Sequence, residues 1–582
     1  MAMSAPQVRP GRFAIVLLVL LTASGLLWAC GGEGTPGTTD PASEDPPEAA
    51  EPADGSDGTH ASEDSANGGE TDEDAANDAA APEDAAPAPG APDDPLRGLV
   101  SPAEFERFHD LESRGLVTNA AGASEGWTLV MPLNSTQIHL VDLEGEPQHT
   151  WETGLSPGGW AYLQDDGTLF RSARQDEDPR FAGGGIGGIL QQIAPDGEVL
   201  WQYEFADESR CQHHDIEVLP NGNVLLIAWE RISAEEAIAH GRDPWGVGEV
   251  GLWADAVYEV KPVLPDGGEI VWHWRVWDHL VQDTDADLPS HGKPADRPER
   301  IDVNACFEPP AEVDEEERAA QEQLKKQMAA LGYGGGGEDE EEAEDDADDA
   351  PPPHDWNESG DWLHTNAIDY HPALDLIVLS SPELGEILVI DHSTTTEEAA
   401  GSTGGRWGHG GDLLWRWGNP QRYGHGAAAD QKLFYQHDPQ WLRTPEGLKL
   451  SVFNNGGSRP DGSSFSEVLE LSLPFDVDEG FARADGEPYG PRTPDWVYAD
   501  PETFFAAFIS GATRLPSGNT LVCSGVVGRI FEVTPEGEVV WDLYSTFGGD
   551  VQPPDHAGKA PPYSLYRAAR YAPDHPGIVA LR

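Results

Sequence analysis

Beyond residue 125 the chain alternates apolar and polar positions in runs of four to eight, each broken by Gly, Pro, Asn or Asp. A period of two places one set of side chains on one face, so these runs predict half-buried strands rather than helices. One unit recurs: an apolar strand, a turn with Gly and an acid, then a strand carrying tryptophan. It reads "IHLVDLEGEPQHTW" at 138–151, "LQQIAPDGEVLW" at 190–201, "VYEVKPVLPDGGEIVW" at 257–272 and "IFEVTPEGEVVW" at 530–541. Looser copies are "EILVIDHS" (386–393) with "GGDLLWRW" (410–417), and "VLELSLP" (468–474) with "DWVY" (495–498). Between these units lies a second one, clearest in "HDIEVLPNGNVLLIA" (214–228) and "SGATRLPSGNTLVCS" (510–524), with degenerate copies at 159–172, 364–380, 437–453 and 565–581. Two hairpins per repeat make a four-stranded antiparallel sheet. Six such sheets predict an all-β, six-bladed β-propeller over residues 98–582, with the C-terminal copy completing the blade begun near residue 127.

The long gap between Trp272 and Trp415 holds an insertion, about 277–360. Within it, residues 313–331 have helical spacing and charge pairing, and 338–349 carry ten acids in twelve positions. Upstream of the repeats, Arg9 and Arg12 precede the apolar run Phe13–Ala29, which predicts a signal peptide over 1–29. The ending "LLWAC" fits a bacterial lipoprotein box with Cys30 as the lipidated residue; a retained N-terminal membrane anchor is the alternative. Residues 30–97 read as a disordered linker, since 31–96 carry 19 Asp or Glu and no Lys or Arg. The expectation is therefore an exported, membrane-anchored lipoprotein facing the periplasm or the cell exterior. A formal net charge of −71 has the wrong sign for a nucleic-acid partner. No CxxC pair suggests a cysteine metal site; Cys211 and Cys306 could pair or remain free thiols.

Aligning the second unit on its Leu-Pro turn identifies the residue five positions before each leucine. That slot holds His214, Asn366 (with His364 two residues earlier), His437, Ser510 and Arg567. In a propeller the innermost strands line the central channel, so equivalent positions form a ring there. His213, the neighbour of His214, joins Ser510 and Arg567 as a candidate substrate contact, although strand alternation turns it to the opposite face. Such a ring could hold a metal through three histidines, bind an anion, or use one imidazole as a nucleophile while the others hold the group attacked. No motif such as HExxH singles out metal.

At these residues the chain resembles the bacterial arylsulfotransferases, which do not depend on PAPS. The resemblance runs through "HHDIEVLPNGN", "DWLHTNAIDY", "EILVIDHSTT", "GGDLLWRWGNPQ" and "QHDPQW". It implies a six-bladed propeller that moves a sulfuryl group from a phenolic sulfate ester to a phenolic acceptor without a cofactor. By that resemblance His437 is the nucleophile that becomes transiently sulfated, and activity should fall in acid as it protonates. His364 and Asn366 would hold sulfuryl oxygens, and His214 would donate to the sulfuryl or bridging oxygen. Ser510 falls where the family has a small hydroxyl residue. One departure stands out: the strand that usually ends "SSR" here ends "SSP", with Pro382 in place of the arginine. The alternative is thus a non-catalytic anion-binding propeller, unless Arg567 supplies the missing charge.

Overall fold

The computed structural model describes residues 96–107, 113–175, 181–248, 250–307, 360–445, 447–549, 551 and 560–582. Six antiparallel sheets follow one another in chain order, and each begins with a strand at the central channel. From the axis outward, the first blade is Leu565–Tyr571, Trp127–Pro132, Gln137–Val141 and Pro147–Glu152. The second runs from Pro157–Leu163 to Val199–Glu204, and the third from Arg210–Val218 to Gly267–Arg275. The fourth spans Ala367–His371 to Trp415–Trp417, the fifth His437–Leu442 to Trp496–Ala499, and the sixth Gly511–Arg514 to Val539–Tyr544. The predicted six-bladed propeller is therefore the fold, and the ring closes as its repeats imply: Leu565–Tyr571 pairs with Trp127–Pro132 in one blade.

Two features depart from the repeat. The apolar end of the last copy is a helix, Pro576–Leu581, rather than a second strand. The place beside Leu565–Tyr571 is already taken by Trp127–Pro132, and Pro576 suits the first turn of a helix. In addition, Gly115–Asn119 adds a fifth, outermost strand to the sixth blade by pairing with Val539–Tyr544.

The tryptophan signature has a physical reason. On the outer strand of five blades its indole N–H reaches the turn between the third and fourth strands of the next blade. Trp201 donates to Gly267 O at 2.7 Å, Trp272 to Thr394 Oγ1 at 3.2 Å and Trp415 to Gly490 O at 2.7 Å. Trp496 donates to Pro535 O and Trp541 to Leu143 O, both at 2.8 Å. In the first blade His149 makes this bond instead, to Pro195 O at 2.9 Å, with the Trp151 ring edge-on against it. A buried indole that finds an acceptor loses nothing on desolvation while its rings fill the gap between blades.

Nearer the axis, carboxylates do the same job. Asp215 accepts from Ile368 N (3.1 Å), Asp369 from Trp441 N (2.6 Å) and Asp438 from Ala512 N (2.9 Å), each tying one inner strand to the next.

The described part of the insertion packs on the third and fourth blades. It contains one short parallel pair, Leu280–Val281 with Ile301–Asp302. The predicted helix 313–331, the acidic tract 338–349, the signal peptide and Cys30 lie outside the described residues. Cys211, Cys306 and Cys523 are free thiols. Among the described residues no helix is long and apolar enough to cross a membrane.

The closing seam should be sensitive to its tryptophan. Trp541→Phe removes the bond to Leu143 and leaves space beside a fully buried ring, which should lower unfolding free energy in urea by about 1–3 kcal/mol. Trp496→Phe, at a half-buried position, should cost less.

Candidate active site

The inner strands all start at one mouth of the channel. His214, Ile509 and Tyr566 line a crevice of 70 Å³, whereas Asp438, Trp441 and Arg567 line a separate cavity. The entering chain must turn its side chains inward, and the backbone does so in the left-handed region. His214 (φ 53°), His364 (φ 52°), Asp438 (φ 54°) and Ser510 (φ 85°) are all non-glycine residues held there. The strands of His214 and His437 also slip register at these points. These positions serve different parts of the channel: His214 lines the crevice, whereas Asp438 lines the opposite cavity.

The three ring histidines come together. The rings of His214 and His364 meet edge to face, with centroids 4.5 Å apart, and His437 feels the charge of His364. All three are at most 4 % exposed. Gly185 permits the close approach, since a Cβ on it would lie 2.2 Å from His214 Nε2.

The tautomer of His437 is set by Asn455. The Asn455 amide nitrogen donates to Ala506 O (2.8 Å) and Ile509 O (3.0 Å), so its oxygen must face the histidine. That oxygen lies 2.8 Å from His437 Nδ1, and Tyr435 O lies 3.0 Å from the same nitrogen. Both are acceptors, so Nδ1 carries the proton and the lone pair is on Nε2. Burial pushes the His437 pKa down to about 3, against the pull of those two bonds. His214 is likewise held well below the ordinary imidazole value, by burial and by the nearby His364.

His364 is the exception. Burial opposes its charge, but the Asp361 carboxylate is hydrogen-bonded to Nδ1 and holds its pKa above the ordinary value. Asp361 is itself fixed by the Trp229 indole, which donates to it at 3.0 Å. Among three histidines packed together, one is thus kept cationic and two neutral.

The remaining predicted residues take other places. His213 stands behind His214 rather than in the crevice: it stacks on Trp229 at 4.1 Å, and its Nε2 lies 3.1 Å from Asp255 Oδ1. Its Nδ1 is 2.8 Å from His214 Nδ1. That short contact means that one of the two rings donates to the other through Nδ1. Asn366 donates to Gln436 O at 3.0 Å, while its Oδ1 is buried with no partner among the described residues. The Ser510 hydroxyl is occupied by backbone, donating to Phe508 O and accepting from Gly525 N. Arg567 does not reach into the crevice. Its guanidinium bridges Asp215 (2.8 Å) and Asp438 (3.1 Å) across the channel and faces the opposite cavity. Pro382, in the slot of the absent arginine, opens a turn whose carbonyl accepts from Gly385 N.

Asn455 and Asp361 carry the electrostatics of the site, and neither is on the repeat-derived ring. The signals were local: "FNNGG" on the strand paired with His437, and an acid three residues before His364. Among the described residues no group of three or more His, Cys, Asp or Glu side chains is arranged to hold a metal ion.

Among solved structures, the chain is similar to a protein of unknown function from Bacteroides caccae, with 12% identity over 77% of this chain and 99% of that one, TM-score 0.34. It is also similar to the periplasmic gluconolactonase of Pseudomonas aeruginosa, with 12% identity, 74% and 100% coverage and TM-score 0.30. A third is apo AztD from Citrobacter koseri, with 8% identity, 77% and 99% coverage and TM-score 0.29. Among curated proteins nothing matches. The arylsulfotransferase (ASST) family model matches residues 175–543, more than half of the chain and the span that carries His214, His364, His437 and Asn455. The chain is a member of the arylsulfotransferase family.

Proposed function

We propose that this chain transfers a sulfuryl group from a phenolic sulfate ester to a phenolic acceptor through a sulfated His437, with no cofactor. The observation that carries this reading is the His437–Asn455 pair, which presents a neutral imidazole with its lone pair on Nε2. In the first half-reaction Nε2 attacks sulfur, the S–O bond to the aryl group breaks, and the phenolate leaves. His437 then carries positive charge on its ring, which the carbonyl oxygens of Asn455 and Tyr435 accept through Nδ1–H. In the second, the acceptor hydroxyl gives its proton to His214 Nε2, its oxygen attacks sulfur, and the S–N bond breaks. The low basicity of His437 helps here, because a weakly basic imidazole is a good leaving group.

Cationic His364 supports the charge that the missing arginine would otherwise supply. Arg567 is a poor substitute, because Asp215 and Asp438 already neutralise it. Asp361 acts through His364 and is a positioning residue. Pro382 favours the second reading, a propeller that binds a sulfate ester without turning it over.

The chain should release nitrophenol from 4-nitrophenyl sulfate in a phenol-dependent way, and His437→Ala should abolish that release. A folded wild-type protein that binds the ester but releases nothing supports the second reading. The sequence-based expectation of activity lost in acid is shifted by burial. The acid limb of kcat/KM should lie near the His437 value of about 3, and the basic limb above the ordinary imidazole pKa of about 6.5, where His364 loses its charge. Asp361→Asn keeps an acceptor for Trp229 but removes the charge. It should lower kcat about 10²-fold and move the basic limb to lower pH. Export and anchoring through Cys30 are part of the same proposal. Cys30→Ser should move the protein from the membrane to the soluble fraction, whereas a retained apolar anchor would leave it in place.

A further inference from the structure

Behind the crevice, one carboxylate joins two of the strand starts that carry the histidines. Asp255 is buried, and its Oδ2 accepts from Thr365 N (3.0 Å) and Thr365 Oγ1 (2.7 Å). Thr365 stands between His364 and Asn366. The other oxygen, Oδ1, lies 3.1 Å from His213 Nε2. Both of these atoms are buried with no other partner among the described residues, so each has reason to face the other.

His213 is placed to carry charge. Its ring is fully buried, with the carboxylate at its edge and the Trp229 indole stacked on its face, centroids 4.1 Å apart. A carboxylate and an indole face both attract a cation. His214 is placed differently. Burial, and the charges of His364, His213, His437 and Arg567, oppose a charge on it. Sulfuryl transfer to an acceptor hydroxyl nevertheless asks His214 to receive a proton. The contact of 2.8 Å between His214 Nδ1 and His213 Nδ1 joins the ring that meets the proton to the ring that can hold the charge.

We propose that His213 and Asp255 form a relay that takes over the positive charge His214 would otherwise hold. In this relay His214 donates through Nδ1 to the lone pair on His213 Nδ1, and His213 carries its own proton on Nε2, towards Asp255. When the acceptor oxygen attacks sulfur, its proton bonds to His214 Nε2. The proton on His214 Nδ1 passes to His213 Nδ1. His214 ends neutral, and the charge lies on His213 between the carboxylate and the indole. Asp255 stays ionised throughout, and the proton returns by the same path once the product has left. Neither residue touches substrate, so both are positioning residues that act through His214. The relay presupposes sulfuryl transfer through His437, as proposed.

Asp255→Asn separates the relay from a structural role. Its oxygen still accepts from Thr365, but its amide nitrogen donates to His213 Nε2. That forces the His213 proton onto Nδ1, where no lone pair is left to receive one from His214. The full chain mixed with 4-nitrophenyl sulfate, without phenol, should show the same burst of nitrophenol in Asp255→Asn as in the wild type, because departure of the aryl group uses no base. Phenol-dependent turnover should fall about 10²-fold. A burst slowed as much as turnover, or turnover left unchanged, would overturn the relay. The ¹⁵N spectrum of the histidine-labelled full chain is a second measurement that needs no turnover, with His213→Gln identifying the signals. It should place the proton of His213 on Nε2 in the wild type and on Nδ1 in Asp255→Asn; a wild-type proton on Nδ1 would overturn the relay as well. A wild type that gives neither burst nor turnover defeats sulfuryl transfer itself, and the ring spectrum then decides the relay alone.

Discussion

A buried guanidinium held between two carboxylates organises the centre of this protein. Arg567 comes from the last strand of the chain, Asp215 from the third blade and Asp438 from the fifth. Each carboxylate also accepts a backbone amide from the following blade, so one cation secures four inner strands besides its own. Removing a charge from water costs several kcal/mol unless its partners are well placed, and here two partners share one guanidinium. The two acids therefore need the arginine as much as it needs them.

The state of each histidine depends on which neighbours it meets. Buried imidazoles that feel one another's charge cannot all be charged. The structure resolves the conflict with oxygen atoms of different character. His437 faces an amide and a peptide carbonyl, which fix a tautomer without supplying charge, and His364 faces a carboxylate, which does supply it. His214 leans on a second histidine backed by Asp255. Imidazoles held neutral and one that favours its charge thus arise from one residue type.

Much of this was legible in the sequence because the propeller repeats its local chemistry. The tryptophans at 151, 201, 272, 415, 496 and 541 mark outer strands in every blade, and the Leu-Pro-x-Gly-Asn turns mark inner hairpins. Aligning those turns was enough to bring His214, His364 and His437 together. What alignment could not give is the direction of hydrogen bonds between blades. Arg567 occupies an equivalent slot, yet its charge is consumed below the histidines by residues more than 100 positions away. The Ser510 hydroxyl turned back to its own backbone, and His213 became a support. Asn455 was missed because its role depends on two carbonyl groups, at 506 and 509, that no spacing rule connects to it. The terminal helix Pro576–Leu581 was missed because an apolar run beside a strand reads as another strand unless its place in the sheet is known to be filled.

The chain order of the closing strand has a consequence for biogenesis. Residues 127–152 form three strands of a blade whose innermost member is Leu565–Tyr571, so that sheet waits for more than four hundred residues of synthesis. Until Arg567 arrives, Asp215 and Asp438 stand as like charges without a counter-ion, and the inner strands they would join have reason to stay apart. Such distant pairing is slow to form. A chain still on the ribosome would therefore lack the sealed ring until Leu565–Tyr571 has been made.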